Sequence, residues 1–141
     1  MQYHFKIHKD KKGYWAECLE LKGCITQGET QEALRKNMHE ALNLYLDEPS
    51  DSRVIFPLPK ERVNKSNVEA VLVEPSIAFA FLLRRSRLEQ KWTQKTVAEK
   101  LKVGLFSYQR LENSKFANPT LSTVAKLKSI FPQLFLDFIF A

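Results

Sequence analysis

At 141 residues, with 44% hydrophobic, 11% aromatic and 27% charged residues, the chain has apolar material for one ordinary core or two small ones, which excludes a disordered protein. No run approaches the roughly 20 apolar residues of a bilayer span, and Met1-Gln2-Tyr3-His4-Phe5-Lys6 is not followed by the apolar stretch of a secretory signal, so a cytoplasmic protein without membrane partners is expected. The formal charge of +6 is unevenly placed: residues 1–74 hold eleven Lys/Arg against twelve Asp/Glu (net −1), and residues 75–141 hold eleven against four (net +7), a localised positive field of the kind that attracts polyanions.

Tyr3, Phe5 and Ile7 alternate with His4, Lys6 and His8, and Tyr14, Ala16 and Cys18 alternate with Trp15, Glu17 and Leu19, the period of two of half-buried strands. Lys9-Asp10-Lys11-Lys12-Gly13 between them supplies a turn, so the chain should open on a β-hairpin. A glycine-containing connection from Leu21 ends at Thr30, whose hydroxyl can cap a helix beginning at Gln31. In that helix Leu34, Met38, Ala41, Leu42 and Tyr45 recur at helical spacing. Glu32, Arg35, Lys36, His39, Glu40 and Asn43 fill the opposite face, and Pro49 stops the helix. Val54-Ile55-Phe56-Pro57-Leu58-Pro59 reads as a short extended piece and Val68–Val73 as a β-branched strand. The first half is therefore expected to be β-β-α-β, with room for one extra short strand.

The order of Gly13-Tyr14-Trp15-Ala16, Leu21-Lys22-Gly23-Cys24, Thr26-Gln27-Gly28-Glu29-Thr30-Gln31-Glu32-Ala33 and Phe56-Pro57-Leu58-Pro59 resembles the HicB-type antitoxin family across nearly all of residues 1–74. The resemblance implies a partial RNase H-like domain that binds and blocks a HicA-like toxin, a small mRNA endonuclease of double-stranded-RNA-binding fold.

In the second half Ser76 can cap a helix from about Ile77 to Glu89, with Ile77, Phe81 and Leu88 on one side and Arg84, Arg85 and Arg87 near its end. Thr93 can cap a second helix, Gln94 to Leu101, with Val97, Ala98 and Leu101 inward. Lys102-Val103-Gly104 makes a tight turn into a third, about Leu105 to Asn113, which buries Tyr108 and Leu111. After the loop to Pro119, Thr120 starts a fourth with Leu121, Val124, Ala125 and Leu127. The spaced set Trp92-Thr93-Gln94, Val97-Ala98, Val103-Gly104, Arg110-Leu111-Glu112-Asn113 and Pro119-Thr120 resembles the Cro-type phage-repressor family. Overall the expectation is an α+β chain: a partial RNase H-like, toxin-binding domain at 1–74 and an all-α helix-turn-helix DNA-binding domain at 75–141.

The Cro resemblance implies that Gln94 braces a phosphate through its side chain and its helix N-terminus, and that Arg87 and Glu112 form an internal ion pair that belongs to folding. The first two exposed positions of the third helix, which in that family carry polar base-reading side chains, are Leu105 and Phe106; these can touch a thymine methyl but cannot hydrogen-bond a base edge, so Arg110 becomes the expected reader. With Lys95, Gln109, Asn113 and Lys115 these residues make up the candidate contacts to operator double-stranded DNA.

A toxin that grips RNA must itself be basic, so an acidic patch with an aromatic at its edge, Trp15, Glu17, Glu20 and Glu29, is the candidate toxin surface; scattered charge is also the ordinary condition of a solvated face. His4, His8 and His39 lack a converging ligand set, and Cys18 and Cys24 lack zinc-ribbon spacing and are expected as reduced thiols. No cofactor, no metal and no catalytic residue is expected, because the carboxylates have no spacing suited to holding catalytic magnesium. The apolar tail from Ile130 to Ala141 needs cover, and is expected to pack on its own module and contribute to a homodimer or higher even oligomer. Operon autorepression by an antitoxin is the leading expectation. A stand-alone transcriptional regulator with an N-terminal ligand-sensing domain is the alternative, and a nuclease is the weakest.

Overall fold

In the computed structural model, which describes residues 1–140, the alternating start of the chain becomes β1 (Gln2–Asp10), paired antiparallel with β2 (Gly13–Cys18) in the register Phe5 opposite Cys18 and His8 opposite Trp15. Gly13 takes φ +138° at the turn, and a Cβ there would meet the Gly28 carbonyl at 2.7 Å, so no other residue fits without backbone movement. Two further strands complete an antiparallel sheet of order β3-β2-β1-β4, with β3 at Ile25–Gly28 and β4 at Val68–Leu72.

The extra short strand is thus not at Val54–Leu58, which is irregular, but within the Leu21–Thr30 connection expected to be a turn. An edge strand with Ile25 57% exposed has no apolar alternation to betray it. The first half is β-β-β-α-β.

Thr30 caps α1 (Gln31–Leu46) by accepting from the Ala33 N–H at 3.1 Å. Leu34, Met38, Leu42 and Leu46 are buried with the sheet residues Tyr3, Phe5, Ala16, Cys18 and Val71, which share one face by register. Arg35 grips Glu69 of β4 through two bonds, and Asn37 donates to the Gln27 carbonyl of β3, so the helix is tied to both edges of the sheet. Asn43, expected on the polar face, is buried; its amide donates to the His39 carbonyl and its oxygen accepts from the Glu74 N–H, a cap on the chain leaving β4. His4, on the opposite sheet face, is buried as well and lies 2.8 Å from a carboxylate oxygen of Glu20. Both cysteines are free and buried.

Two compact units make up the chain: residues 1–46 with 56–74, and residues 47–55 with 75–140. The second contains α2 (Pro75–Glu89), α3 (Gln94–Leu101), α4 (Leu105–Leu111), α5 (Leu121–Ile130) and α6 (Asp137–Phe140). Pro75 opens α2, a position that needs no N–H, so the helix starts before the expected cap Ser76. α2 is buried continuously from Ala78 to Arg84, not on one stripe, as befits a helix at the centre of its fold. Thr93 and Thr120 cap α3 and α5 by accepting from the Thr96 and Thr123 N–H groups, and α3 stops at Lys102 in the left-handed conformation (φ 59°). Of the residues expected inward on α5, Leu127 is buried, Val124 is half-buried, and Ala125 and Leu121 are exposed, the latter at 88%. In the tail Phe131, Leu134 and Ile139 are buried, and Lys128 donates to the Pro132 and Leu134 carbonyls. Phe135 and Phe140 remain exposed.

Candidate nucleic-acid interface

The helix-turn-helix is braced from inside by a fork-to-fork ion pair. Arg87 Nε and Nη2 donate to the two Glu112 oxygens at 2.7 and 3.0 Å, while Nη1 donates to the Trp92 carbonyl at 3.0 Å. One arginine of α2 therefore ties the loop before α3 to the residue after α4. The Glu112 side chain is 0% exposed and that of Arg87 is 8% exposed. Burial alone would lower the Arg87 pKa, but the hydrogen bonds and charge of Glu112 outweigh it and hold the guanidinium above its ordinary value. Tyr108 of α4 is fully buried beside them, and burial pushes its phenol upward.

Arg84, one turn earlier, is also fully buried, and its Nη2 has no hydrogen-bond partner. Desolvation lowers its pKa, opposed by the nearby carboxylates of Glu112, Glu48 and Asp47. Two of the three arginines near the end of α2 are thus interior groups. The third, Arg85, pairs with Glu89.

Gln94, expected to brace a phosphate through its side chain, has that amide engaged within the chain. Its oxygen accepts from Gln109 at 3.2 Å, and its Nε2 donates to the Ser50 carbonyl at 2.8 Å and lies 3.4 Å from Glu112. The segment that supplies Ser50 is further held by Asp47, which accepts from the Ser114 hydroxyl. What α3 keeps for an anion is the Gln94 and Lys95 N–H groups, ahead of the Thr96 N–H that Thr93 caps, and the exposed Lys95 side chain. Asn113 likewise serves the fold: its side-chain oxygen accepts from the Lys115 N–H, shaping the loop after α4.

The outward face of α4 carries Leu105 (42% exposed), Phe106 (72%) and Arg110. The Arg110 guanidinium lies 5.8 Å from the centre of the Phe106 ring and 4.3 Å from that of Phe116, a loop aromatic that sequence reasoning missed because nothing local distinguishes it. Lys115 is exposed beside that loop.

In the first unit Trp15 stacks on His8 with ring centres 4.0 Å apart, and Glu17 lies 3.1 Å from His8 Nε2. Glu29 is exposed. Glu20 leaves the expected acidic surface: its side chain is 2% exposed, and its carboxylate accepts from the His4 and Lys60 N–H groups at 2.9 and 3.0 Å. It is a structural acceptor joining β1 to the segment after Pro59. No helix is long and apolar enough to cross a membrane among the described residues.

A family model described as helix-turn-helix matches residues 83–132, from within α2 past the end of α5, the architecture of DNA-binding transcription regulators. A UPF0150 protein of Helicobacter pylori is 36% identical over 74 residues, which cover 52% of this chain and 92% of that relative. On that likeness the chain belongs to the UPF0150 family, and it carries a helix-turn-helix as well.

Proposed function

We propose that this protein is the cytoplasmic antitoxin of a toxin–antitoxin pair. Residues 1–74 bind and block a HicA-like mRNA endonuclease, and residues 75–141 bind the operator of the same operon as a homodimer and repress it. The observation that carries the DNA-binding half is the outward face of α4, where an exposed Arg110 and two apolar side chains project from a helix whose end is tied to α2 by a buried ion pair. The toxin half rests on the likeness of the Gly13–Ala33 and Phe56–Pro59 motifs to HicB-type antitoxins, and Trp15, Glu17 and Glu29 are its surface candidates.

Co-expression with the neighbouring reading frame tests the first half: a small basic protein should copurify, and its RNA cleavage should stop. A duplex titration at several salt concentrations tests the second half. One feature favours the ligand-sensing alternative, an open cleft in the first unit beside Gly28, bordered by Asp10, Lys12, Tyr14, Glu29 and Asn37. A metabolite retained on purification, with no copurifying protein, would select that reading.

A further inference from the structure

Phe106 and Arg110 hold the centre of the exposed face of α4. Helical residues advance by about 100° each, so positions two before and two after the buried Tyr108 project within roughly 20° of directly opposite it. Those positions are Phe106 and Arg110. The first turn of the helix therefore offers a large apolar side chain at its outermost point, and the second turn offers a guanidinium.

Arg110 has no carboxylate partner among the described residues, and its contacts are the rings of Phe106 and Phe116. A ring is no acceptor for the whole guanidinium fork, so Arg110 keeps N–H groups for two acceptors side by side. In the DNA major groove that acceptor pair is O6 and N7 of guanine, and the one apolar group displayed there is the 5-methyl of thymine.

We infer that α4 reads a thymine through its 5-methyl group, with Phe106 as the contact, beside a guanine whose edge receives Arg110, which packs on Phe116. This deepens the DNA-binding half of the proposed function and rests on it. Phe106 and Arg110 become specificity-determining residues, whereas Lys95 and Lys115 supply affinity without sequence preference. Leu105, 42% exposed at the start of the same helix, offers a second apolar contact on the flank.

The test uses the full chain and the duplex it selects most tightly from a randomised pool, synthesised either with thymine or with deoxyuridine, which lacks only the methyl. Removing the methyl at the contacted position should weaken wild-type binding about fourfold, the value of one buried methyl-sized group. The same replacement should cost nothing in Phe106→Ala, whose fold is safe because the side chain is largely solvated. Arg110→Ala should weaken binding about tenfold or more and lose preference at the neighbouring guanine. If thymine and deoxyuridine duplexes bind alike, or if Phe106→Ala feels the missing methyl as strongly as wild type does, the inference falls while DNA binding stands. If no duplex is retained even at low salt, the DNA-binding reading falls first and takes this inference with it.

Discussion

Replacing Arg87 with Met isolates the internal brace of the helix-turn-helix. The substitution keeps a long apolar stem but removes three hydrogen bonds, two of them to a Glu112 carboxylate that is 0% exposed. After it, Glu112 keeps a 3.4 Å approach from Gln94 and the charge of Arg84, so a buried carboxylate loses both hydrogen bonds to its paired cation. Such a loss costs about 3–5 kcal/mol, a large share of the stability of a unit this size. Urea unfolding followed by Trp92 fluorescence reads the effect, with Trp15→Phe as background so that the first unit is silent. The double variant Arg87→Met/Glu112→Leu should recover most of the loss, because both desolvated charges then disappear together. A single-variant cost under about 1 kcal/mol, or a double variant as unstable as the sum of the two singles, would refute the brace.

Arg84→Met should behave in the opposite way, changing stability by less than about 1 kcal/mol or raising it, since this buried guanidinium has an orphaned Nη2; the same urea assay checks it. Burial pushes Cys18 up to about 12 and Cys24 up to about 11, so both stay thiols in the folded chain. Their contribution to stability is complete below the unfolded thiol value of roughly 8.5 and is lost as pH climbs towards 11–12, and iodoacetamide at pH 8 should label them only after urea is added, as read by mass spectrometry. Truncating the tail would strip Phe131, Leu134 and Ile139 from the core, so the oligomer is better probed on its exposed members. Leu121→Ser with Phe140→Ser should leave the fold intact and convert a dimer to monomer in sedimentation, and an unchanged mass would remove both residues from any interface.

Both hairpin strands, α1 with its Thr30 cap and the Thr93 and Thr120 caps were legible because each announces itself within a few residues, through a period or a hydroxyl three positions before the N–H it accepts. What stayed hidden depends on partners far along the chain. Glu20 reads as surface charge until Lys60, forty residues on, is placed over it. Asn43 reads as polar face until Glu74 arrives to be capped. Arg84 looks like the basic end of a surface helix until the fold brings Glu112, Glu48 and Asp47 near it, whereas the Cro-type spacing already pairs Arg87 with Glu112. Gln94 follows the same pattern: its motif fixes where the residue sits, but the Ser50 carbonyl that accepts from its amide lies 44 residues away.

These placements redistribute the positive field of residues 75–141. Arg84 and Arg87 are buried, Arg85 pairs with Glu89, and Lys128 is spent on two carbonyls. The cations left are Lys91, Lys95, Lys100, Lys102, Arg110, Lys115 and Lys126; six of these seven lie between Lys91 and Lys115, on α3, α4 and their flanking loops, and with Arg110 on a base edge five of the six remain for phosphates. Each phosphate neutralised contributes about −0.9 to the slope of log binding constant against log salt, so five cations cap that slope near −4.5 per chain. Lys95→Ala should reduce it by about 0.9, whereas Gln94→Ala, whose amide is already engaged inside, should leave it unchanged. A slope well beyond that ceiling, or one left unchanged by removing Lys95, would place the duplex on some other surface.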